Sequence, residues 1–334
     1  MNKEITLKIN RLIENNQFSG VISIRNETST IYEVVSGYRN IPNKLPNNLQ
    51  TKYGLASGAK TFTAVAILKL VQENKLKLGD EISSFLEGYL PNKYPKVTIK
   101  NLLTHSSGIP DYLDEEKDLD LSHIPWNHLV KPRDYFPYFP KGDLEFEPGS
   151  TFKYNNGGYI ILAHIIDVVT GDYHNYIHKM LEGLDIKNTK FFRFDSLPAN
   201  TSYGYIPIDD NTQKTNIYDL PNIGNGDGGI YSNVDDIELF WKKLFSNQII
   251  NNDLLSQMTS PQINISENKY YGFGVWIKKN NEKTLLEMIG CDLGASYISS
   301  YNMDTKELIN IISNNESDAW KVKDILVKGG IFFA

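Results

Sequence analysis

Apolar positions along the chain change their spacing repeatedly, and each change marks a different kind of element. From Met1 to Asn16, Ile5, Ile9, Leu12 and Ile13 are separated by four, three and one residues among Lys3, Glu4, Lys8, Arg11 and Glu14, the spacing of an amphipathic helix. Gly20 to Arg25 and Ser29 to Gly37 are rich in β-branched residues, and Asn26, Glu27 and Thr28 between them predict a hairpin. Beyond a loop containing Pro42 and Pro46, the pattern turns helical from Ser57 to about Asn74, where Phe62, Val65, Ile67, Leu68 and Val71 fill one broad face.

The middle of the chain reads as helix and loop. A short helix ends at Leu102 and Leu103, and residues 113–145 run acidic, then aromatic with prolines, as an irregular excursion. Tyr159 to Thr170 predicts a buried helix stopped by Gly171, and a second helix covers about Tyr173 to Leu181. The last third changes character. Ser232 and Asn233 are N-cap residues for a helix through Phe240 and Leu244, followed by strand-like segments at Tyr271 to Ile277, Lys283 to Met288, Ser296 to Tyr301 and Glu307 to Ser313. A closing helix spans about Asp318 to Lys328. Strands at both ends with helices between them predict an α+β fold of three α/β/α layers. Its mainly antiparallel sheet is built from both termini, within one domain spanning 1–334. The sheet-bearing part is discontinuous, 1–79 and 201–334, and a helical subdomain, 80–200, is inserted in it.

Composition removes several function classes. The 334 residues carry a formal charge of -6, and no stretch gathers Lys and Arg on one face, so a nucleic-acid partner is not expected. No run approaches the roughly 18 apolar residues of a membrane span. The interleaved charges of residues 1–16 differ from the basic start and unbroken apolar block of a secretory signal. The one cysteine, Cys291, has no internal partner for a disulfide. Together these predict a cytoplasmic protein. His174 and His178 have the i, i+4 spacing of a metal pair, but no Glu completes an H-E-x-x-H arrangement and no third ligand is evident. Neither a metal nor an organic cofactor is expected.

The candidate chemistry centres on Ser57-Gly58-Ala59-Lys60 at the start of the second helix. Residues three apart share a helix face. A serine hydroxyl becomes a nucleophile when a base takes its proton, and a lysine one turn away is such a base if its amine is neutral. The motif alone is weak, because a chain of this length yields about one or two S-x-x-K matches by chance. Ser266-Glu267-Asn268-Lys269 is such a match, expected in a polar loop with no helix after it. The second element is Tyr154-Asn155-Asn156, preceded by Glu147-Pro148-Gly149. A tyrosine beside the nucleophile can shuttle a proton, and the Asn156 amide can hold a substrate carbonyl or steady the lysine. Gly54 to Ser57 does not fit the G-x-S-x-G elbow of α/β-hydrolases.

The ordered set resembles the class C β-lactamase and penicillin-binding-protein family. It comprises Ser57-x-x-Lys60, then Leu102-Leu103-Thr104-His105-Ser106-Ser107-Gly108-Ile109-Pro110, then Glu147-Pro148-Gly149 with Tyr154-x-Asn156. Gly183-Leu184-Asp185-Ile186 with Thr189, Gly228-Gly229 with Ser232 and Asp235, and Tyr271-Gly272-Phe273-Gly274 agree with later family segments. The resemblance implies a serine hydrolase acting on a small ester, amide or peptide substrate. In it Ser57 would be the nucleophile, Lys60 its proton partner, Tyr154 the general acid and base, and Asn156 a contact to the substrate amide. The oxyanion hole would use the N–H of Ser57 and a strand N–H near Cys291.

One departure bears on substrate. The family carries Lys-Thr-Gly or His-x-Gly on that strand, and this chain has Met288-Ile289-Gly290. Gly290 keeps close backbone approach possible, whereas Met288 cannot pair with a substrate carboxylate. Asp292 beside it could select cationic substrates, or could simply form a turn. The alternatives are a D-alanyl-D-alanine carboxypeptidase or β-lactamase, and a non-catalytic ligand-binding module on the same scaffold. His105 is expected to pack the loop, and Cys291 to be a small packed residue.

Overall fold

The computed structural model describes residues 3–86, 88, 90, 94–114, 124–209, 212–280 and 283–331, so residues 115–123 of the expected acidic excursion lie outside it. The hairpin expected near the N-terminus forms from β1 (Gly20–Arg25) and β2 (Thr30–Ser36). Asn26 holds its turn, Oδ1 accepting the N–H of Thr28 at 3.0 Å and of Ser29 at 2.8 Å. Six further strands come from the last third: β3 (Ile263–Ser266), β4 (Lys269–Tyr271), β5 (Trp276–Lys279), β6 (Thr284–Asp292), β7 (Ala295–Asn302) and β8 (Leu308–Ser313). Their order across one antiparallel sheet is β2-β1-β8-β7-β6-β5-β4-β3. The first strand therefore pairs with the last, Gly20 opposite Ser313 and Arg25 opposite Leu308.

The helices are α1 (Lys3–Glu14), α2 (Ala59–Gln72), α3 (Ile99–Leu103), α4 (Asn156–Thr170), α5 (Tyr173–Glu182), α6 (Val234–Phe245), α7 (Asn252–Met258) and α8 (Asp318–Lys328). Strand side chains alternate between faces, and here both faces are apolar. Ile22, Ile24, Ile298, Ile309 and Ile311 pack against Ile5 and Ile9 of α1 and Val322 and Leu326 of α8. Val21, Leu286, Met288, Tyr297 and Ile312 point the other way, into a larger core with Phe62 of α2, Ile160 of α4 and Phe240 of α6. The α+β expectation of a sheet with helices on both sides holds. No helix among the described residues is long and apolar enough to cross a membrane.

Local expectations shift in informative places. Tyr271 to Ile277, expected as one strand, is a hairpin: β4 ends at Tyr271 and β5 begins at Trp276. Gly274, at φ 74°, adopts the left-handed backbone that the tight connection requires, and the Gly272 N–H closes it on Val275 O at 2.9 Å. Strand β3 and helix α7 were not anticipated. Helix α4 starts at Asn156, three residues before the expected Tyr159, with Asn155 as N-cap accepting the Gly158 N–H at 2.6 Å. Gly171, at φ 89°, ends it as expected. Of the two expected caps for α6, Asn233 serves. The Ser232 hydroxyl instead meets that of Thr189 at 2.7 Å.

Candidate active site

The turn carrying Ser57 is held on three sides. Tyr53–Gly54 pairs with Tyr231–Ser232, and Ala56 then adopts a left-handed backbone at φ 45°, a strained choice for a residue with a side chain. Its carbonyl accepts the Gly229 N–H at 3.1 Å. A short 3-10 turn, Ala56–Gly58, leads into α2, so Ser57 stands at the head of that helix. Strand β6 presses against the same turn. A Cβ on Gly290 would lie 2.1 Å from Leu55 O and 3.0 Å from the amide nitrogens of both Ser57 and Gly58. The paired part of β5 reaches β6 only at Glu287, so Met288 to Asp292 continue along the site without a neighbour from β5.

Lys60 is 2% exposed and sits one turn behind the serine. Its Nζ lies 3.0 Å from Ser57 Oγ, 2.7 Å from Asn156 Oδ1 and 2.5 Å from Asp227 O. The Asn156 amide has a defined orientation, because its Nδ2 donates to Leu113 O at 3.0 Å. Asn156 Oδ1 and Asp227 O can only accept, so they take two N–H groups of the lysine in either charge state. Ser57 Oγ alone among the three can also donate. A neutral amine thus turns its lone pair to the serine O–H, which is the arrangement of a general base and its substrate proton.

Residues around the head of α4 position this set. Asp111 is 4% exposed, and its carboxylate accepts the N–H of Asn156 at 2.5 Å and of Gly157 at 2.8 Å. Leu113, two residues on, takes the Asn156 amide, so one short segment fixes both the backbone and the side chain of that residue. His105 Nδ1 accepts the Asn155 N–H at 3.0 Å, and burial pushes the imidazole well below its ordinary pKa. Its ring lies 4.4 Å from that of Tyr154, which also stacks on Trp276 at 6.0 Å. Lys60 Nζ is 4.8 Å from the Tyr154 ring centroid. The loop-packing role expected of His105 is what these contacts describe.

Burial pushes the Asp111 carboxyl up to about 7, outweighing the N–H groups of Asn156, Gly157 and Leu113 and the charge of Lys60. The native carboxyl then keeps its proton to higher pH than the unfolded one. Asp111 therefore makes the fold less stable as pH rises from about 4 to about 7, with no further slope above that. In Asp111→Asn this slope is absent. The gap between the melting temperatures of variant and wild type changes across that window and stays constant above it; a gap independent of pH from 4 to 8 would refute the assignment.

Two cavities meet at Ser57. One, of about 370 Å³, is walled by Tyr112, Trp126, Tyr135, Phe194 and Leu220 and includes Asn156, Asp227, Cys291 and Asp292. The other, of about 250 Å³, is bounded by Tyr154, Trp276, Asp111, Ile289 and Gly290, again with Cys291. The residues singled out in the sequence, Ser57, Lys60, Tyr154, Asn156, Gly290, Cys291 and Asp292, thus gather around one cleft.

Residues 8–324 match the Beta-lactamase family. The chain belongs to that family. It is similar to Penicillin-binding protein 4* of Bacillus subtilis (strain 168), with 26% identity covering 95% of this chain and 72% of that protein. The crystal structure of a penicillin binding protein from Bacillus halodurans superposes with a TM-score of 0.88 and 31% identity, over 99% of this chain and 100% of that one. A D-amino acid amidase from Ochrobactrum anthropi SV3 shares the fold, with a TM-score of 0.77 and 20% identity over 98% and 100% of the two chains.

Against the pattern of the Beta-lactamase family, the departures become specific. Met288, where the resemblance leads one to expect a cation, is 1% exposed and belongs to the core. Cys291 is exposed rather than packed, its Sγ 3.6 Å from Glu316 O, because the strand edge there lies open to the cleft. The second S-x-x-K match is a hairpin: Ser266 and Lys269 face each other across β3 and β4, both exposed. His174 Nε2 lies 2.9 Å from Gly224 O, and His178 Nε2 accepts the Phe191 N–H at 2.9 Å, so backbone groups occupy both imidazoles. Asp111 and Asp227 went unread in the sequence. The first directly follows Gly108-Ile109-Pro110 and the second precedes Gly228-Gly229, so adjacency to family segments was the available signal.

Proposed function

We propose that the chain is a serine hydrolase that cleaves small amides or esters through an acyl-enzyme on Ser57. Oγ attacks the substrate carbonyl as its proton passes to Lys60 Nζ, and the N–H groups of Ser57 and Cys291 stabilise the resulting oxyanion. Tyr154, beside Lys60 and on the wall of the smaller cavity, hands a proton to the leaving amine or alkoxide as its bond to carbon breaks. Water then enters by the reverse sequence, releasing the acid and restoring the Ser57 hydroxyl. The observation that carries this reading is the position of Lys60, with two obligate acceptors and the serine hydroxyl around one amine.

Intact-mass analysis after treatment with an alkyl fluorophosphonate tests it. One adduct forms, peptide mapping places it on Ser57, and Ser57→Ala takes none; wild-type protein that stays unmodified, or an adduct elsewhere, removes the reading. The names of the relatives favour a second one, a penicillin-reactive carboxypeptidase or β-lactamase. Stable acylation of Ser57 by benzylpenicillin would support it, while turnover of a p-nitrophenyl ester without penicillin acylation supports the esterase or amidase form. Met288 argues for the latter, since that position offers a carboxylated substrate no cation.

A further inference from the structure

The larger cavity beside Ser57 has an acidic wall. Among the described residues its lining holds four carboxylates, Asp219, Asp227, Asp292 and Glu316, and no Lys, Arg or His. Three of them come from segments far apart in the chain, Asp227 before α6, Asp292 at the end of β6 and Glu316 before α8, so the acidity belongs to the cleft and not to one surface loop. Around them the wall is aromatic and aliphatic.

Two buried polar atoms of this wall have no hydrogen-bond partner among the described residues. Tyr135 is 1% exposed and its hydroxyl is unpartnered. Asp219 gives one oxygen to Lys214 at 2.7 Å, while its Oδ2 is buried without a donor. The nearby Tyr112 hydroxyl donates to Asp227 Oδ2 at 2.5 Å. Burial first, then the charge of Asp227, and after it Asp134, Tyr173 and Asp292, push the Tyr135 phenol well above its ordinary range, so the field of Asp227 reaches the cleft wall. A carboxylate oxygen can only accept, and a phenol oxygen can accept, so both orphaned atoms suit a guest that donates. A protonated amine brings three N–H donors and the opposite charge.

We infer that the cleft beside Ser57 takes an acyl group bearing a protonated amine next to an apolar side chain, as in an amino-acid amide or aminoacyl ester. The proposal rests on Ser57 being the nucleophile for which group is acylated, but the recognition it describes is measurable without turnover. The apolar side chain lies along Tyr112, Trp126 and Phe194, and the ammonium sits on the side of Asp227 and Asp292. An anionic acyl group or a terminal carboxylate is repelled from the same space.

Binding to the Ser57→Ala variant tests this by calorimetry, with D- and L-phenylalaninamide compared against the neutral isostere 3-phenylpropanamide at about pH 6.5, below the usual pKa of an α-amine. At least one enantiomer of the amine binds about tenfold more tightly than the isostere, and the preference shrinks in Ser57→Ala/Asp292→Asn. Equal binding, no binding of either amine, or a preference for the neutral amide overturns the proposal. The ligand comparison does not depend on how well the Asp292 variant folds. Loss of fluorophosphonate labelling would instead remove the hydrolase reading while leaving this binding result standing, so the two failures are distinct.

Discussion

Replacing Ser57 with alanine or Lys60 with methionine lowers kcat/KM for a p-nitrophenyl ester about 10³-fold or more, and the double variant is no worse than the poorer of the two. On the proposed mechanism the groups act as one unit, because the catalytic task of the lysine is to move the proton of the hydroxyl 3.0 Å away. Removing either leaves the other without a task, so the losses do not add. The variants differ in stability. Ser57→Ala deletes a small hydroxyl, whereas Lys60→Met removes the hydrogen bonds from Nζ to Asn156 Oδ1 and Asp227 O. Each buried hydrogen bond lost to a charged donor costs about 1–3 kcal/mol, so the methionine variant unfolds at lower urea while the alanine variant keeps the wild-type midpoint. Lys60→Arg does not restore activity, because a guanidinium stays charged and offers no lone pair to the serine. A Ser57→Ala protein within tenfold of wild type would end the acyl-enzyme account.

Gly290→Ala lowers kcat about 10²-fold with a smaller change in KM. The added methyl would stand 2.1 Å from Leu55 O and 3.0 Å from the amide nitrogens of Ser57 and Gly58, and all three are backbone atoms with no rotamer to adjust. Strand β6 must therefore withdraw from the Ser57 turn, and the N–H groups of Ser57 and Cys291 part by the amount it moves. Loss of one well-placed oxyanion donor typically costs 10²–10³ in rate. On the proposed reading the cleft walls hold most of the substrate, so its binding suffers less. Gly79→Ala is the control: its added methyl meets nothing within 4 Å, and kcat is unchanged. Equal kcat for Gly290→Ala and wild type would show that β6 does not supply a donor.

Apart from β3, the sheet was legible because its strands announce themselves by β-branched runs with turn residues between them, as at Asn26 and at the start of β8. The same signal concealed the β4–β5 turn. Tyr271 to Ile277 is continuous in β-favouring residues, and only Gly272 and Gly274 betray the reversal. Helix α7, at seven residues, is too short for periodicity to distinguish it. In the site, Ser57 and Lys60 were legible because three residues on a helix is a fixed geometry. The Ser266 match failed for the same reason, since without a helix the spacing places its residues on opposite strands. Asp111 was not legible, because an acid after Pro110 reads as a turn residue, and only the tertiary approach of α4 gives it Asn156 and Gly157 to hold. Asn156 was expected to touch substrate or to steady the lysine. Its side chain lies between Lys60 and Leu113, and that contact required knowing where residue 113 returns to the site.

Pairing of β1 with β8 joins Gly20 to Ser313 and gives the molecule a temporal property. A ribosome delivers β1 nearly three hundred residues before its second neighbour, and the Gly290 wall of the cleft arrives almost as late as that neighbour. Contacts of such sequence separation slow folding. A nascent chain halted before β6 would hold the serine and the lysine but no wall opposite them. On the proposed reading, hydrolysis would therefore begin only after β6 has been made and has closed on the Ser57 turn.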